Sequence, residues 1–367
     1  MKISKNKIYK HIPLYVLLVT FLLVVIYLSA PYFLNYSTYK KEIEDKFEKN
    51  FLLKANIKGK IKYQLFPTPR LRIENVSVKG LVSKDKNFAS IKNIYFKIPF
   101  SNLYNVKKIN FNDINITKAD IKINYQNFDS YTKYFNKNIV RKIVRIRDSK
   151  INFFDKTKAI HSITNLKLDY SPARTHDNLK VEGNFLNDKL FISYQKEKKT
   201  LNPKQKINFK LKNLGLNLKI TVLNTGQDFK IKKINLNANY LKNTFLGILK
   251  YKENKLEISN AKFSNEYING DISGKIEISP FVIFDLNLDL NAMDFKKIYK
   301  TINLLDLKAQ KNLFRLNEKI NGTLNLNIDK IYSRSNFLNS AESIINFKNG
   351  NIYIEKLIFN INNIGAA

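Results

Sequence analysis

From Ser149 onward one pattern repeats: an apolar residue at every second position, with polar residues between. Leu216, Leu218, Ile220 and Val222 alternate with Asn217, Lys219 and Thr221. Ile234, Leu236 and Ala238 alternate with Asn235, Asn237 and Asn239. The same holds for Leu286, Leu288 and Leu290 against Asp285, Asn287 and Asp289, and for Leu324, Leu326 and Ile328 against Asn325, Asn327 and Asp329. A period of two builds strands with one apolar and one wet face, which is the pattern of antiparallel sheet. Turn-forming runs such as Lys252-Glu253-Asn254-Lys255 and Lys348-Asn349-Gly350-Asn351 sit between strands and predict hairpins.

Roughly twenty such strands at about 4.8 Å each would form a sheet on the order of 90 Å wide. Open sheets of that breadth curl, split or flatten. Periodicity identifies the apolar face and leaves its filling open between a closed sandwich core and an open trough. The expected fold is mainly β, a long, curled, mostly antiparallel sheet with a few covering helices. Two stretches read as helices. One is Ser130 to Arg147, with Tyr134, Ile139, Ile143 and Ile146 on one side. The other starts at Phe295 and runs to about residue 315, with Ile298, Ile302, Leu305 and Leu313 apolar.

Ahead of the strands, Ile12 to Ala30 carries no charged residue and is apolar on every face. At about 1.5 Å per residue it spans close to the hydrocarbon thickness of a bilayer. Lys2, Lys5, Lys7 and Lys10 precede it, so the positive-inside rule keeps the N-terminus cytoplasmic and places the body across the membrane. Leu28-Ser29-Ala30 faintly resembles a signal-peptidase site, but the bulk of Leu28 and the position of Pro31 favour an uncleaved anchor. Next, Ser37 or Thr38 is placed to cap an amphipathic helix ending near Phe51, with Tyr36, Tyr39, Ile43, Phe47 and Phe51 on one stripe. That stripe is expected to cover the end of a sheet.

The stretch from Phe51 to Gly80 reads as two alternating strands around a proline-stiffened corner. Ile57, Ile61 and Tyr63 alternate around Gly59. Leu71, Ile73, Val76 and Val78 repeat the pattern with one slip at Glu74-Asn75, the mark of a bulge. Pro67 and Pro69 fix the backbone between them. An anchor, a short amphipathic helix, a glycine-bearing strand, a Pro-x-Pro corner and an L-x-I-x-N-V strand occur here in the order typical of the AsmA family of bacterial envelope proteins. The residues that carry the resemblance are Gly59, Pro67, Pro69, Leu71, Ile73, Asn75 and Val76. It extends through Ala89 to Leu103 and Ile109 to Tyr125, and returns in part at Ile320 to Ile328 and Phe347 to Phe359.

The resemblance implies a taco-like β-groove in the periplasm, related to those of TamB and the chorein-type bridge proteins, that takes part in phospholipid transport or outer-membrane homeostasis. The groove face it implies corresponds to Leu216, Leu218, Ile220, Val222, Ile234, Leu236, Ala238, Leu286, Leu288, Leu290, Leu324, Leu326 and Ile328. Its implied partners are the inner membrane, a phospholipid or other acyl-chain lipid, and an outer-membrane or envelope protein.

The sequence carries no catalytic or metal-binding motif. Zero cysteines exclude disulfides, thiolate metal sites and a cysteine nucleophile. The histidines are His11, His161 and His176, and no H-E-x-x-H, G-x-x-x-x-G-K-[ST] or G-x-S-x-G occurs. A metal site from His161, His176 and either Asp169 or Asp177 lacks ligand spacing, so no catalytic, cofactor or metal residue is expected. The net charge of +34 arises from scattered lysines, with no basic arm or recognition helix, so no specific nucleic-acid partner is expected.

The expected organisation is a basic tail at 1–11, a transmembrane signal anchor at 12–30 and an amphipathic helix at 31–52. An AsmA-like domain at 53–148 follows, then a β-rich extension at 149–367 with a helical segment near 294–315. Two other functions stand beside lipid handling: a membrane-anchored scaffold assisting outer-membrane protein assembly without lipid in its sheet, and a polyanion-binding module.

Overall fold

The computed structural model describes residues 5–66, 68–79, 87–100, 103–104, 111, 113–138, 142–155, 157–198, 203–225, 231–277, 282–304, 318, 320–333, 337–361 and 365–366. Pro67 lies outside them, as do Ile139, Leu305 and Leu313. The chain is mainly β and divides into two compact units, Met1–Asn187 and Asp188–Ala367.

The first unit opens with α1 (Lys5–Ser29), whose apolar stretch Leu14–Phe33 has the length and composition of a membrane span. Only 6% of that stretch is buried, so it is not a core helix of the unit. Two 3₁₀ turns, Ala30–Phe33 and Tyr36–Tyr39, lead into α2 (Lys40–Phe51). The cap differs from expectation. Asn35 accepts the Ser37 N–H at 3.1 Å and caps the 3₁₀ turn, while α2 has no side-chain cap. Tyr36, Ile43, Phe47 and Phe51 are buried as the stripe requires, and Tyr39 is exposed.

Eight strands follow: β1 (Ala55–Ile57), β2 (Ile61–Gln64), β3 (Arg70–Val78), β4 (Ala89–Lys97), β5 (Asp113–Asn124), β6 (Ile143–Asp155), β7 (Lys158–Pro172) and β8 (His176–Phe185). β1 and β2 are two halves of one edge strand, both antiparallel to β3. The stripe of α2 packs with the inward faces of β1 to β5 in one core of Phe47, Phe51, Leu71, Ile73, Ile94, Phe96, Phe111 and their neighbours. Between β5 and β6 lies α3 (Phe128–Asn138), and those two strands are parallel. The helix expected over Ser130 to Arg147 is therefore too long. Ile143 and Ile146 belong to β6, where pairing with β5 and β7 overrides their helical spacing.

One irregularity crosses the whole unit. Asn75, Lys118, Asp148 and Asn165 all have left-handed φ, between 50° and 56°. The ladders place Asn75 and Lys118 on either side of Lys92, with Asp148 beside Lys118. Gly59 and Gly183 lie at the two ends of this line. A Cβ on either would approach the carbonyl oxygen of Glu74 or Thr164 to 2.4 or 2.9 Å. Leu71 and Ile73 stand on one side of it, Val76 and Val78 on the other, and all four are buried in the same core. In a regular strand this odd spacing would turn the second pair to the opposite face; the left-handed residue restores the phase.

The second unit contains β9 (Asp188–Glu197), β10 (Lys204–Leu211), β11 (Leu216–Thr225), β12 (Ile231–Tyr240), β13 (Asn243–Lys252), β14 (Lys255–Ser264) and β15 (Ile268–Glu277). It continues with β16 (Val282–Asp294), α4 (Phe295–Asn303), β17 (Ile320–Ile328), β18 (Ile331–Tyr332), β19 (Leu338–Lys348), β20 (Asn351–Ile361) and β21 (Gly365–Ala366). Successive strands pair antiparallel from β9 to β16. β17 and β18 then run parallel to β16, and β19 to β21 resume the antiparallel order. Among the described strands, each parallel pair thus falls where a helix lies in the connection, as a crossover requires. The predicted second helix begins at Phe295 and ends at Asn303; residues 305–315 are outside those described. Both expected turns close two-residue hairpins, with φ positive at Glu253 and Asn254 and at Asn349 and Gly350.

Candidate functional site: the apolar face of the second unit

Ladder register brings the predicted face residues into continuous rows. One row runs Phe209, Leu218, Ala238, Phe245, Phe263, Gly270, Leu290, Ile328, Ala341, Phe359, each directly opposite the next. The adjacent row runs Ile207, Ile220, Leu236, Gly247, Ala261, Ile272, Leu288, Leu326, Ser343, Leu357. The third is Gln205, Val222, Ile234, Leu249, Ile258, Gly274, Leu286, Leu324, Ile345, Ile354. Leu216 joins the same face beside Leu211 and Tyr240. The rows cross β10 to β17, β19 and β20, a path of roughly 43 Å at about 4.8 Å per strand step.

No charged residue stands in the three rows. Ser343 is buried and donates to the Lys356 carbonyl at 3.0 Å, which satisfies it. Leu249, Ile258, Ala261, Leu290, Ile328 and Ala341 are buried, while Leu218, Ile220, Leu236, Leu286, Leu288 and Leu324 remain half-buried. The two core clusters here draw only on neighbouring strands. One gathers Leu249, Ile258 and Ala261 with Ile234, Leu236, Phe245 and Ile272; the other gathers Leu290, Ile328, Ile331 and Ala341 with Phe263, Leu288, Leu326 and Phe359. Their members lie side by side, and among the described residues neither cluster includes any from a second layer.

The opposite face is mostly polar, with Leu246, Ile248 and Ile283 exposed on it, and many of its polar side chains pair with one another. Asn325 donates to Asn287 at 2.9 Å, Thr323 to Asn346 at 2.8 Å and Asn346 to Glu355 at 2.7 Å, and Lys356 meets Glu342 at 2.9 Å. At the end of the β10–β11 hairpin, Asp188 accepts the N–H groups of Lys189, Asn213 and Leu214 at 2.6 to 2.9 Å. Desolvation pushes its carboxyl up, but those three donors outweigh it and hold the carboxyl below its ordinary value.

In the first unit the motif residues occupy the edge nearest α1. Leu71, Ile73 and Val76 are buried in the core, Asn75 supplies the left-handed turn, and Pro69 accepts the Ile98 N–H at 2.9 Å. Gly59 presses on Glu74. The AsmA family model matches residues 6–139. Over that span the chain is similar to the AsmA family. No curated protein matches the chain. The matched region thus holds α1, α2, the motif corner and the strands up to α3, and β6 and the apolar rows lie beyond it.

The candidate ligands are held apart. His161 packs edge-on to Phe185 at 5.7 Å, whereas His176 meets the Thr175 hydroxyl at 2.8 Å near the far end of the β7–β8 ladder. Asp169 is paired with Arg147 at 2.5 Å. Among the described residues no three His, Cys, Asp or Glu side chains come together.

Two features escaped the sequence. One is the register that aligns ten strands into rows, which depends on pairing. The other is the left-handed line of the first unit, whose one-residue slip recurs at Ile116–Ala119 and Ile163–Leu166 and was readable there.

Proposed function

We propose that this AsmA-like chain is an inner-membrane-anchored protein of the bacterial envelope whose second unit carries phospholipid acyl chains on its apolar face. The observation that carries the reading is the uncharged set of rows crossing ten strands, largely half-buried and, among the described residues, without a covering layer in its clusters. Acyl chains laid on that face gain about 0.8 kcal/mol per buried CH₂, while headgroups stay in water. The lysines ahead of the apolar stretch, Lys2, Lys5, Lys7 and Lys10, support a cytoplasmic N-terminus and a periplasmic body. The reading assigns the chain no catalytic step, and it makes lipid movement or outer-membrane homeostasis the process served.

A photoreactive phenylalanine analogue at Ile220, on the apolar face, and separately at Thr221, on the polar face, tests it in cells fed labelled phosphate. A phospholipid adduct at position 220 and none at 221 is expected. No adduct at 220, with protein adducts in its place, would favour a scaffold that assists outer-membrane protein assembly.

A further inference from the structure

The body of the first unit grips α1 inside its apolar stretch. Tyr27 donates to the Phe100 carbonyl at 2.9 Å, and Tyr104 donates back to the Tyr27 carbonyl at 2.6 Å. Tyr63 donates to the Leu28 carbonyl at 3.0 Å, and the Leu65 N–H reaches the Tyr32 hydroxyl at 3.4 Å. These bonds tie Tyr63 and Leu65 of the motif corner, and Phe100 and Tyr104, to the end of the helix. Tyr27 lies six positions before Phe33, the last residue of the apolar stretch. At about 1.5 Å per residue to Ser29 and about 2.0 Å through the 3₁₀ turn that is about 11 Å of rise, a depth comparable to the headgroup boundary.

A body held at that level cannot stand clear of the bilayer while the whole stretch is immersed. The side chains it presents there suit the boundary. Phe33 is 90% exposed, Phe66 81% and Phe100 58%, each on one of the three tied segments. Arg70 and Lys97 face each other across β3 and β4 at the same end, and Arg70 also lies over the Tyr95 ring at 5.4 Å. Exposed rings beside cationic side chains are the chemistry of a membrane interface, where rings enter the acyl boundary and cations meet phosphate.

We propose that Phe66 at the motif corner, Phe100 after β4 and Phe33 at the end of the 3₁₀ turn that follows α1 form a rim inserted into the lipid surface that holds α1. Arg70 and Lys97 lie at its phosphate level. The rim would seat the first strands of the sheet on the membrane. The proposal rests on the reading of α1 as a membrane span and is independent of lipid carriage by the second unit.

The chain has no cysteine, so single-cysteine variants take one dye each. The full chain is placed in phosphatidylethanolamine–phosphatidylglycerol vesicles, with an environment-sensitive dye at V19C, F33C, F66C, F100C or S90C. Ser90 is exposed on β4 and serves as the aqueous reference. The expected result is that lipid-borne shallow nitroxide removes most of the fluorescence at F33C, F66C and F100C, while aqueous iodide removes most of it at S90C only. Iodide quenching at F66C and F100C equal to S90C, with V19C quenched by lipid nitroxide, would overturn the rim and leave the span intact. Absence of lipid quenching at V19C would overturn both. Circular dichroism of each variant confirms that the fold persists.

Discussion

Gly59 donates its N–H to the Glu74 carbonyl at 3.0 Å, and a Cβ on Gly59 would stand 2.4 Å from that same oxygen. The edge strand made by β1 and β2 therefore touches β3 backbone to backbone at the point where Asn75 turns left-handed. A methyl group there forces the strands apart. Gly59→Ala is expected to lower the stability of the first unit by roughly 3 kcal/mol, with Lys58→Ala close to neutral. Denaturant titration of the full chain, followed by exchange protection at β1 to β4, checks this. Equal stability of the two variants would refute the contact.

Lys118 sits on the same line with φ of 56° and an exposed side chain. A non-glycine residue there is held against its intrinsic preference. Lys118→Gly should raise stability by roughly 1 kcal/mol, and Lys118→Val, β-branched at positive φ, should lower it by at least about as much. Thermal unfolding of the two variants in parallel gives the order; the reverse order would remove the left-handed assignment.

The alternating strands were legible because period two survives in single strands, Leu286 to Leu290 as much as Leu324 to Ile328. The parallel crossover was not. Tyr134, Ile139, Ile143 and Ile146 happen to fall at helical spacing, and only pairing, with β5 for Ile143 and with β5 and β7 for Ile146, makes the last two strand residues. The slip at Glu74-Asn75 was visible as a bulge, yet its alignment with Lys118 and Asp148 depends on ladder offsets that no single strand carries. The groove candidates were chosen strand by strand; the rows that join Leu218 to Ile328 through Phe245, Phe263 and Gly270 depend on intervening strands with weaker alternation.

Tyr36 is buried and donates to the Leu103 carbonyl at 2.9 Å. Burial first, and then the neighbouring phenols of Tyr63, Tyr104 and Tyr39, push its pKa from 10.0 up to about 12. The folded state thus favours the neutral phenol. Its contribution is fully present below the unfolded value of about 10 and is lost as pH rises through the folded value. Tyr36→Phe should cost about 1 kcal/mol at neutral pH and flatten the alkaline limb of the stability profile. An alkaline limb identical to that of the parent chain would count against this assignment.

Asp188 gives the opposite sign. Its carboxyl is held below the ordinary range because the donors at Lys189, Asn213 and Leu214 outweigh desolvation. The stabilisation it brings to the second unit is present above the unfolded pKa and disappears as pH falls through the lower folded value. Asp188→Asn should lose stability at neutral pH and show a smaller further loss on acidification. Urea midpoints measured across the acid range separate the two chains, and curves that stay parallel down to the lowest pH would refute the capping role.

Ile220 and Thr221 are neighbours in β11 with opposite surroundings. Ile220 lies between Ile207 and Leu236 on the apolar face; Thr221 lies between Lys206 and Asn235 on the polar one. A carboxylate at 220 loses hydration without gaining a partner, whereas one at 221 is placed beside a lysine. Ile220→Asp is therefore expected to cost roughly 2 kcal/mol and to remove most co-purifying phospholipid, while Thr221→Asp leaves both near the parent values. The two effects of Ile220→Asp can be told apart with Ile220→Ala, which trims the side chain without adding charge. If lipid is carried on this face, Ile220→Ala reduces stability but retains lipid, and only the charged variant empties it. Lipid recovered in equal amount from Ile220→Asp and Thr221→Asp would mean that the rows of the second unit are not where acyl chains lie.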